Sequence, residues 1–331
     1  MATSNLHTQQ NPTPVDWTAI TEAHRRIQPR IHRTPVLTSR SLDTLSGAQL
    51  FFKCENLQKT GSFKIRGAAN AILSLTEEQA AHGIVTHSSG NHGAAVACAA
   101  AWRGLSASVV MPHNTTAVKC RAVESYGGKI IFCEPTVSSR AASLARIQRE
   151  TGAEMIHPYD DDRVIAGQAT AAKELLEDVV DLDAVLTPVS GGGLLSGTSL
   201  GAKALRPDIR IFGCEPERAD DAFRSLETRQ LQTQESSDTI ADGLRASLSP
   251  RTFAILRSHV QAILLVSEAE IIDTQRLIAQ RMKLVIEPSS AVALAPMLRK
   301  GVVEWLQLPR RADGQPPKIG IILSGGNADL G

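Results

Sequence analysis

Aromatic side chains are scarce in this 331-residue chain: seven Phe, three Trp and two Tyr, 4% of the whole. Too few are present to build a platform on which nucleic-acid bases stack. Neither sign of charge dominates, since 35 Lys and Arg face 34 Asp and Glu, and no dense basic tract interrupts the sequence. A nucleic-acid partner therefore has no electrostatic footing. Long hydrophobic runs are missing too. The longest candidate, Ala94–Trp102, is rich in alanine and followed by Gly104, well short of the roughly 20 apolar residues that span a bilayer. Residues Met1–Pro14 are polar and lack the basic-then-apolar order of a secretion signal. The five cysteines, Cys54, Cys98, Cys120, Cys133 and Cys214, are scattered, odd in number and never paired as CxxC. Reduced thiols in a cytosolic protein are the expectation.

What is present is length and alternation. A chain of 331 residues is long for one simple core and fits two packed lobes. Short β-branched runs at Gly83–His87, Ser106–Met111, Lys129–Cys133, Ala184–Val189, Ile209–Cys214, Gln261–Val266 and Lys318–Leu323 read as strands. Between them Ala94–Trp102, Ala117–Tyr126, Arg140–Thr151, Ile165–Val179, Leu195–Leu205 and Glu268–Lys283 read as helices. Such alternation predicts an α/β fold with crossover connections and mostly parallel sheets. Ligands of such sheets sit at the carboxyl ends of the strands. Met1–Pro14 and the polar stretch Gln230–Ser237 read as irregular.

Three segments carry chemistry. In Thr60-Gly61-Ser62-Phe63-Lys64-Ile65-Arg66-Gly67-Ala68 a lysine stands where a loop enters a helix. The positive end of a helix dipole lowers a lysine pKa, and a free amine can form a Schiff base with a carbonyl. Thr187-Pro188-Val189-Ser190-Gly191-Gly192-Gly193-Leu194 runs from a strand into a helix. Three glycines let backbone amides converge on an anion. The spacing is neither GxGxxG nor followed by GK[ST], so a small monophosphate fits better than a dinucleotide or ATP; a tight turn with close helix packing would use the same residues. His87-Ser88-Ser89-Gly90-Asn91-His92-Gly93 also leads from a strand to a helix, a place suited to a carboxylate. It could equally be an N-cap beside a structural histidine.

Taken together, and in this order along the chain, these segments resemble the fold type II pyridoxal-phosphate enzymes (tryptophan synthase β-like). The branch they are similar to is that of serine racemase and the serine/threonine dehydratases, which includes 3-hydroxyaspartate dehydratases. The resemblance runs from about Ile31 to Asn327. It implies two domains, each a mostly parallel twisted sheet flanked by helices: residues 1–53 with 153–331 form the large one, and residues 54–152 a small mobile one. Lys64 would carry pyridoxal 5'-phosphate as a Schiff base. Gly191, Gly192 and Gly193 would hold the phosphate, and Asn91 would reach the phenolic oxygen. Gly243, Glu287 and Ser324 would complete the pocket. Ser324 would stand beside the pyridine nitrogen, where a hydroxyl cannot keep that nitrogen protonated, a weaker electron sink that favours prompt loss of a β-substituent. Ser88, Ser89 and His92 would line the substrate carboxylate site.

The same resemblance assigns a divalent cation, Mg²⁺ first and Ca²⁺ or Mn²⁺ otherwise, to Glu215, Asp221 and the carbonyl of Ala219. Oxygen ligands from a short loop suit such an ion; an acidic loop partly neutralised by Arg218 is the alternative. It also implies a small amino-acid substrate, a homodimer, and neither a membrane nor a nucleic-acid partner.

The activity expected is that of an ammonia-lyase, converting serine, threonine or 3-hydroxyaspartate to a 2-oxo acid and ammonia. Ser89 would be a second catalytic group, facing Lys64 across the cofactor, and would permit racemisation; it could also serve only to bind carboxylate. Two positions depart from the racemase pattern: Ala246 replaces a polar residue, and Tyr159 in His157-Pro158-Tyr159 replaces an asparagine. Arg140 matches an arginine able to approach substrate and to hold a second carboxylate, though it could be an exposed residue at a helix start. The alternatives are an amino-acid racemase, a β-replacement enzyme such as cysteine synthase, and a catalytically silent amino-acid-binding regulatory protein. The loop Glu215–Asp221 and the run His87–Gly93 argue against the β-replacement enzyme, and the intact Lys64 against the silent protein. Because the sequence ends just after the Ser324 motif, no appended regulatory domain is expected.

Overall fold

The structure is a computed structural model and describes residues 15–88, 90–234, 237–308, 311 and 314–329. Its ten strands are β1 (Val36–Thr38), β2 (Gln49–Cys54), β3 (Ile84–His87), β4 (Ala107–Pro112), β5 (Lys129–Cys133), β6 (Glu154–Met155), β7 (Ala184–Pro188), β8 (Arg210–Pro216), β9 (Ala262–Val266) and β10 (Lys318–Leu323). They form a six-stranded sheet in the order β1-β2-β10-β7-β8-β9 and a four-stranded sheet in the order β5-β4-β3-β6. Every pairing is parallel except the hairpin-like β1–β2 edge. This is the expected α/β architecture with mostly parallel sheets. The small sheet includes β6, which lies past residue 152.

Parallel strands buried on both faces need apolar side chains throughout, and β7 (AVLTP) is buried at all five positions. The helices that cover them are buried on several sides. The helix Asn91–Trp102 has the sequence NHGAAVACAAAW, and its small residues let neighbours approach from all directions. The helix Asp162–Asp178, capped by the Asp161 carboxylate accepting from the Arg163 amide, runs through the middle of the molecule. It packs closely on the helices Lys64–Leu73 and Gly193–Leu205. A Cβ added to Gly167 would lie 2.5 Å from the Arg66 carbonyl oxygen, and one added to Gly197 2.6 Å from the Ala169 nitrogen.

The candidate segments all follow the carboxyl ends of strands. Strand β2 leads to Lys64, β3 to Ser88 and Asn91, β7 to the glycine loop and β10 to Ser324. Glu215 sits within β8 rather than after it, because that strand extends to Pro216. No helix among the described residues is long and apolar enough to cross a membrane.

Candidate active site

Lys64 opens its helix, as its loop-to-helix setting predicts. Its Nζ donates to the Pro158 carbonyl at 3.0 Å and lies 5.1 Å from the Phe63 ring centroid. Burial lowers its pKa to about 8, while the Glu287 carboxylate acts in the opposite sense. Loss of hydration is what makes this amine available as a free base. The turn before it is laced to the end of β10. Phe63 N donates to the Ser324 carbonyl at 3.0 Å, Gly326 N donates to the Gly61 carbonyl at 2.9 Å, and Ser62 bridges Gly325. Ser324 is thereby held beside Lys64 and buried.

Asn91 also joins this group. Its Nδ2 donates to both Glu287 oxygens at 3.0 and 2.9 Å, and its Oδ1 accepts from Asn327 Nδ2 at 2.8 Å. Burial pushes the Glu287 carboxyl up to about 7, against the pull of the Asn91 hydrogen bonds. Gly243 closes the same corner: its amide donates to Ser289 Oγ at 3.0 Å, and a Cβ there would meet that oxygen at 2.9 Å.

Gly191, Gly192 and Gly193 span the turn from β7 into the helix Gly193–Leu205. Gly192 has φ +89°, a conformation side chains resist. Cβ atoms on Gly191 and Gly193 would come within 2.4 and 2.8 Å of Tyr159. Tyr159 therefore lies directly on the glycine loop, and Pro158, next to it, holds Lys64. The ring of Tyr159 meets His157 edge to face at 4.6 Å, and His157 meets His87 at 5.5 Å. Burial lowers both histidines, His87 to about 4, so both are neutral near pH 7. The ring of His157 accepts from the Asp160 amide at 2.8 Å.

Arg140 belongs to this side of the cleft. Its charge is felt by His87 and Tyr159, and its Nε is buried without a hydrogen-bond partner. Ser88 Oγ accepts from the Gly90 amide at 3.1 Å. His92 is buried, with its Nε2 3.2 Å from the Ile156 carbonyl, and burial holds it well below the usual imidazole range. Ser89 lies outside the described residues.

At β8, Glu215 and Asp221 are both buried. Glu215 accepts from the amides of Ala222 and Phe223 at 3.1 and 2.9 Å, and Asp221 from Leu248 N at 2.9 Å. Burial raises both carboxyls, Asp221 to about 6, and the Asp221 charge raises Glu215 further. Ala219, one turn earlier, is buried as well.

The structure brings Lys64, Asn91, Glu287 and Ser324 together and sets the glycine turn against Tyr159. From the sequence, His157, Pro158 and Asn327 had no role of their own. Asn327 was legible only as the end of a motif, and His157–Tyr159 follows a strand of two residues, too short to show a period.

A family model described as pyridoxal-phosphate dependent enzyme matches residues 27–305. A serine racemase of Arabidopsis thaliana is 49% identical over 316 residues, covering 96% of this chain and 94% of the relative. A beta-hydroxyaspartate dehydratase of Paracoccus denitrificans is 47% identical over 319 residues, covering 96% and 97%. The solved structure of maize serine racemase matches with a TM-score of 0.90 at 46% identity, over 95% of this chain and 94% of that one. Agreement at this level through both sheets makes the chain a member of the pyridoxal-phosphate-dependent enzyme family.

Proposed function

We propose that this protein is an ammonia-lyase that eliminates water from a 3-hydroxy amino acid, with 3-hydroxyaspartate the best-fitting substrate. The observation that carries this reading is the buried Lys64 amine, with a pKa near 8, held to Pro158 beside Tyr159 and His87, two side chains on which the Arg140 charge acts. The residues fit the cofactor: the glycine turn leaves no room for side chains, and Lys64 is tied beside the buried Ser324 hydroxyl. Pyridoxal phosphate, which Lys64 and the Gly191–Gly193 turn would hold, would supply the electron sink that acidifies the α-proton. Lys64, freed as an amine when the substrate amine takes its place, would take that proton. Asn91, Gly243 and Glu287 would orient the ring, and the Ser324 hydroxyl would stand beside its nitrogen without protonating it. Ser88, Ser89 and the amides opening the helix Asn91–Trp102 receive the α-carboxylate, with His92 bracing them. Arg140 takes a second carboxylate as a charge-assisted pair. The hydroxyl would leave with a proton as water, and the enamine would tautomerise to an imine that takes up a water to give the 2-oxo acid and ammonia.

A racemase is the second reading, favoured by the 49% identical serine racemase; in it Ser89 would serve as the second proton donor. Residues 54–152 form the mobile domain of this reading. A homodimer follows from the resemblance, and a cytosolic location from the scattered thiols.

Glu215, Asp221 and the Ala219 carbonyl fit a divalent cation, Mg²⁺ in this reading. The two carboxylates are buried, and no ion pair with a cationic side chain is found for either among the described residues. Oxygen-only donors of this kind suit Mg²⁺ or Ca²⁺. Chelation should lower the thermal midpoint and added Mg²⁺ restore it, with a stabilisation of about 3 kcal/mol when the ion is at a hundred times its Kd. An unchanged midpoint in calorimetry would remove the ion from the proposal.

The deciding assay incubates cofactor-loaded enzyme with L-Ser, D-Ser, L-Thr and the threo and erythro 3-hydroxyaspartates, quantifying oxo acids and enantiomers. Oxaloacetate outpacing pyruvate and 2-oxobutyrate is expected. D-Ser formed from L-Ser faster than any oxo acid would replace the lyase reading by the racemase one.

A further inference from the structure

Two residues beyond Lys64, on the same helical turn, Arg66 is entirely buried. Its Nε and Nη2 donate to the two Glu55 oxygens at 2.7 and 2.8 Å. Nη1 and Nη2 donate to the two Glu174 oxygens at 2.9 and 2.8 Å, and Nη1 also to Thr170 Oγ1 at 3.0 Å. Lys53 Nζ completes the set, donating to Glu174 Oε2 at 2.7 Å and to the Thr34 carbonyl at 2.8 Å. Thr34 Oγ1 donates to Glu55 Oε1 at 2.6 Å. No member of the quartet is more than 1% exposed.

Four charges without water are a poor way to gain stability, because desolvation cancels most of the attraction and apolar replacements are often neutral or better. What the quartet does supply is fixed geometry, since a guanidinium fork meets carboxylates in defined directions. Its members come from three places that must agree for Lys64 to be in position. Lys53 and Glu55 stand at the end of β2, the strand paired with β10 where Ser324 follows. Arg66 lies in the first turn of the Lys64 helix. Glu174 is on the helix Asp162–Asp178, which begins just after Pro158, the residue whose carbonyl accepts from Lys64.

The two helices are clamped at that point. Gly67 N donates to Gln168 Oε1 at 3.2 Å, and a Cβ on Gly167 would collide with the Arg66 carbonyl. The quartet is net neutral, two cations against two anions, so it has little field to impose on Lys64. Its influence is through placement.

We infer that Lys53, Glu55, Arg66 and Glu174 are positioning residues for Lys64, a dry ion quartet that fixes the first turn of its helix against Pro158 and Ser324. This rests on Lys64 being the attachment lysine of the reading above. Displacing a reacting group by about 1 Å can cost about a hundredfold in rate without touching substrate affinity.

The test replaces the quartet as a unit, Lys53→Met, Glu55→Gln, Arg66→Met and Glu174→Gln, and separately makes Arg66→Lys, which keeps the charge and loses the fork. Three readings are taken on each: kcat and KM per cofactor-loaded site, the circular dichroism of the bound cofactor, and the rate at which trinitrobenzenesulfonate modifies Lys64 in the apo-protein. Both variants should unfold cooperatively, show kcat lowered by about tenfold or more with KM within about threefold, and show altered dichroism and altered Lys64 reactivity. Should the quadruple variant fail to fold, Arg66→Lys decides. Folded variants that match the wild type in all three readings would reduce the quartet to scaffolding and overturn the inference. A wild-type protein that binds no cofactor on Lys64 would instead overturn the reading on which it rests.

Discussion

Lys64 and Glu287 show how burial alone sets the chemistry of a site. The amine is pushed down to about 8 and the carboxyl up to about 7 by the same loss of hydration. For Lys64 the consequence is kinetic. Only the neutral amine attacks a carbonyl, so cofactor capture by the apo-protein should speed up with pH and level off above about 8, followed by the cofactor's visible absorbance. A profile still climbing toward 10 would mean an ordinary, hydrated lysine; Lys64→Ala should abolish the band. For Glu287 the consequence is thermodynamic. Its folded pKa lies above the ordinary 4.5, so the folded state keeps a proton that the unfolded chain has released. Stability is therefore unpenalised below pH 4.5, falls as pH rises from there, and is lowest above pH 7. Glu287→Gln should remove that slope in the apo-protein. Its stability relative to wild type should grow between pH 5 and pH 8 by up to about 3 kcal/mol in urea unfolding, and a constant difference would contradict it.

Secondary-structure elements transmit these placements, and one close contact is between the helices Lys64–Leu73 and Asp162–Asp178. A methyl on Gly167 meets backbone atoms, the Arg66 carbonyl oxygen and Gly67 Cα at 2.5 and 2.7 Å, which cannot rotate aside. Gly167→Ala should cost about 1–3 kcal/mol by thermal unfolding and lower kcat by moving Lys64; an unchanged kcat would show that the helices separate without consequence for the amine. None of this packing is visible in the sequence, because Arg66 and Glu174 lie 108 residues apart. What was legible was local. All seven strands read from β-branched runs exist, each at or near its expected bounds. The missed strands have physical reasons: β1 and β6 have three and two residues, and β2 carries Lys53, which looks like a solvated break until its buried partners are known. Lys64 and the glycine turn were legible because each is a contiguous motif. For His157–Tyr159 only the resemblance pointed toward the site, through Tyr159, because nothing local marks where β6 delivers the segment. The burial that lowers the Lys64 pKa was not legible, because it depends on packing between distant segments.

At the scale of the whole molecule, the two sheets are joined across the site by few polar contacts, and one of them lies outside the chemistry. Asn91, from the four-stranded side, reaches Glu287 and Asn327. Lys119, in the helix Ala117–Ser125, pairs with Asp242, the neighbour of Gly243. Both members of that pair are about one-third exposed, and exposed pairs contribute little to stability, about 0–1 kcal/mol. Its position matters more than its strength, because it ties the helix Ala117–Ser125 to the neighbour of Gly243, and in the two-domain reading proposed above it would form on closure. Lys119→Ala should therefore leave the thermal midpoint nearly unchanged while raising KM severalfold, and high salt should weaken the wild type toward the variant. Hydrogen exchange gives a check independent of turnover. Substrate should slow amide exchange in the helix Ala117–Ser125 of the wild type, because closure commits that helix to the large sheet. The variant should lose part of that protection. Equal protection in both proteins would mean that closure is held by Asn91 and Glu287 alone, and that Lys119 pairs with Asp242 without directing the motion.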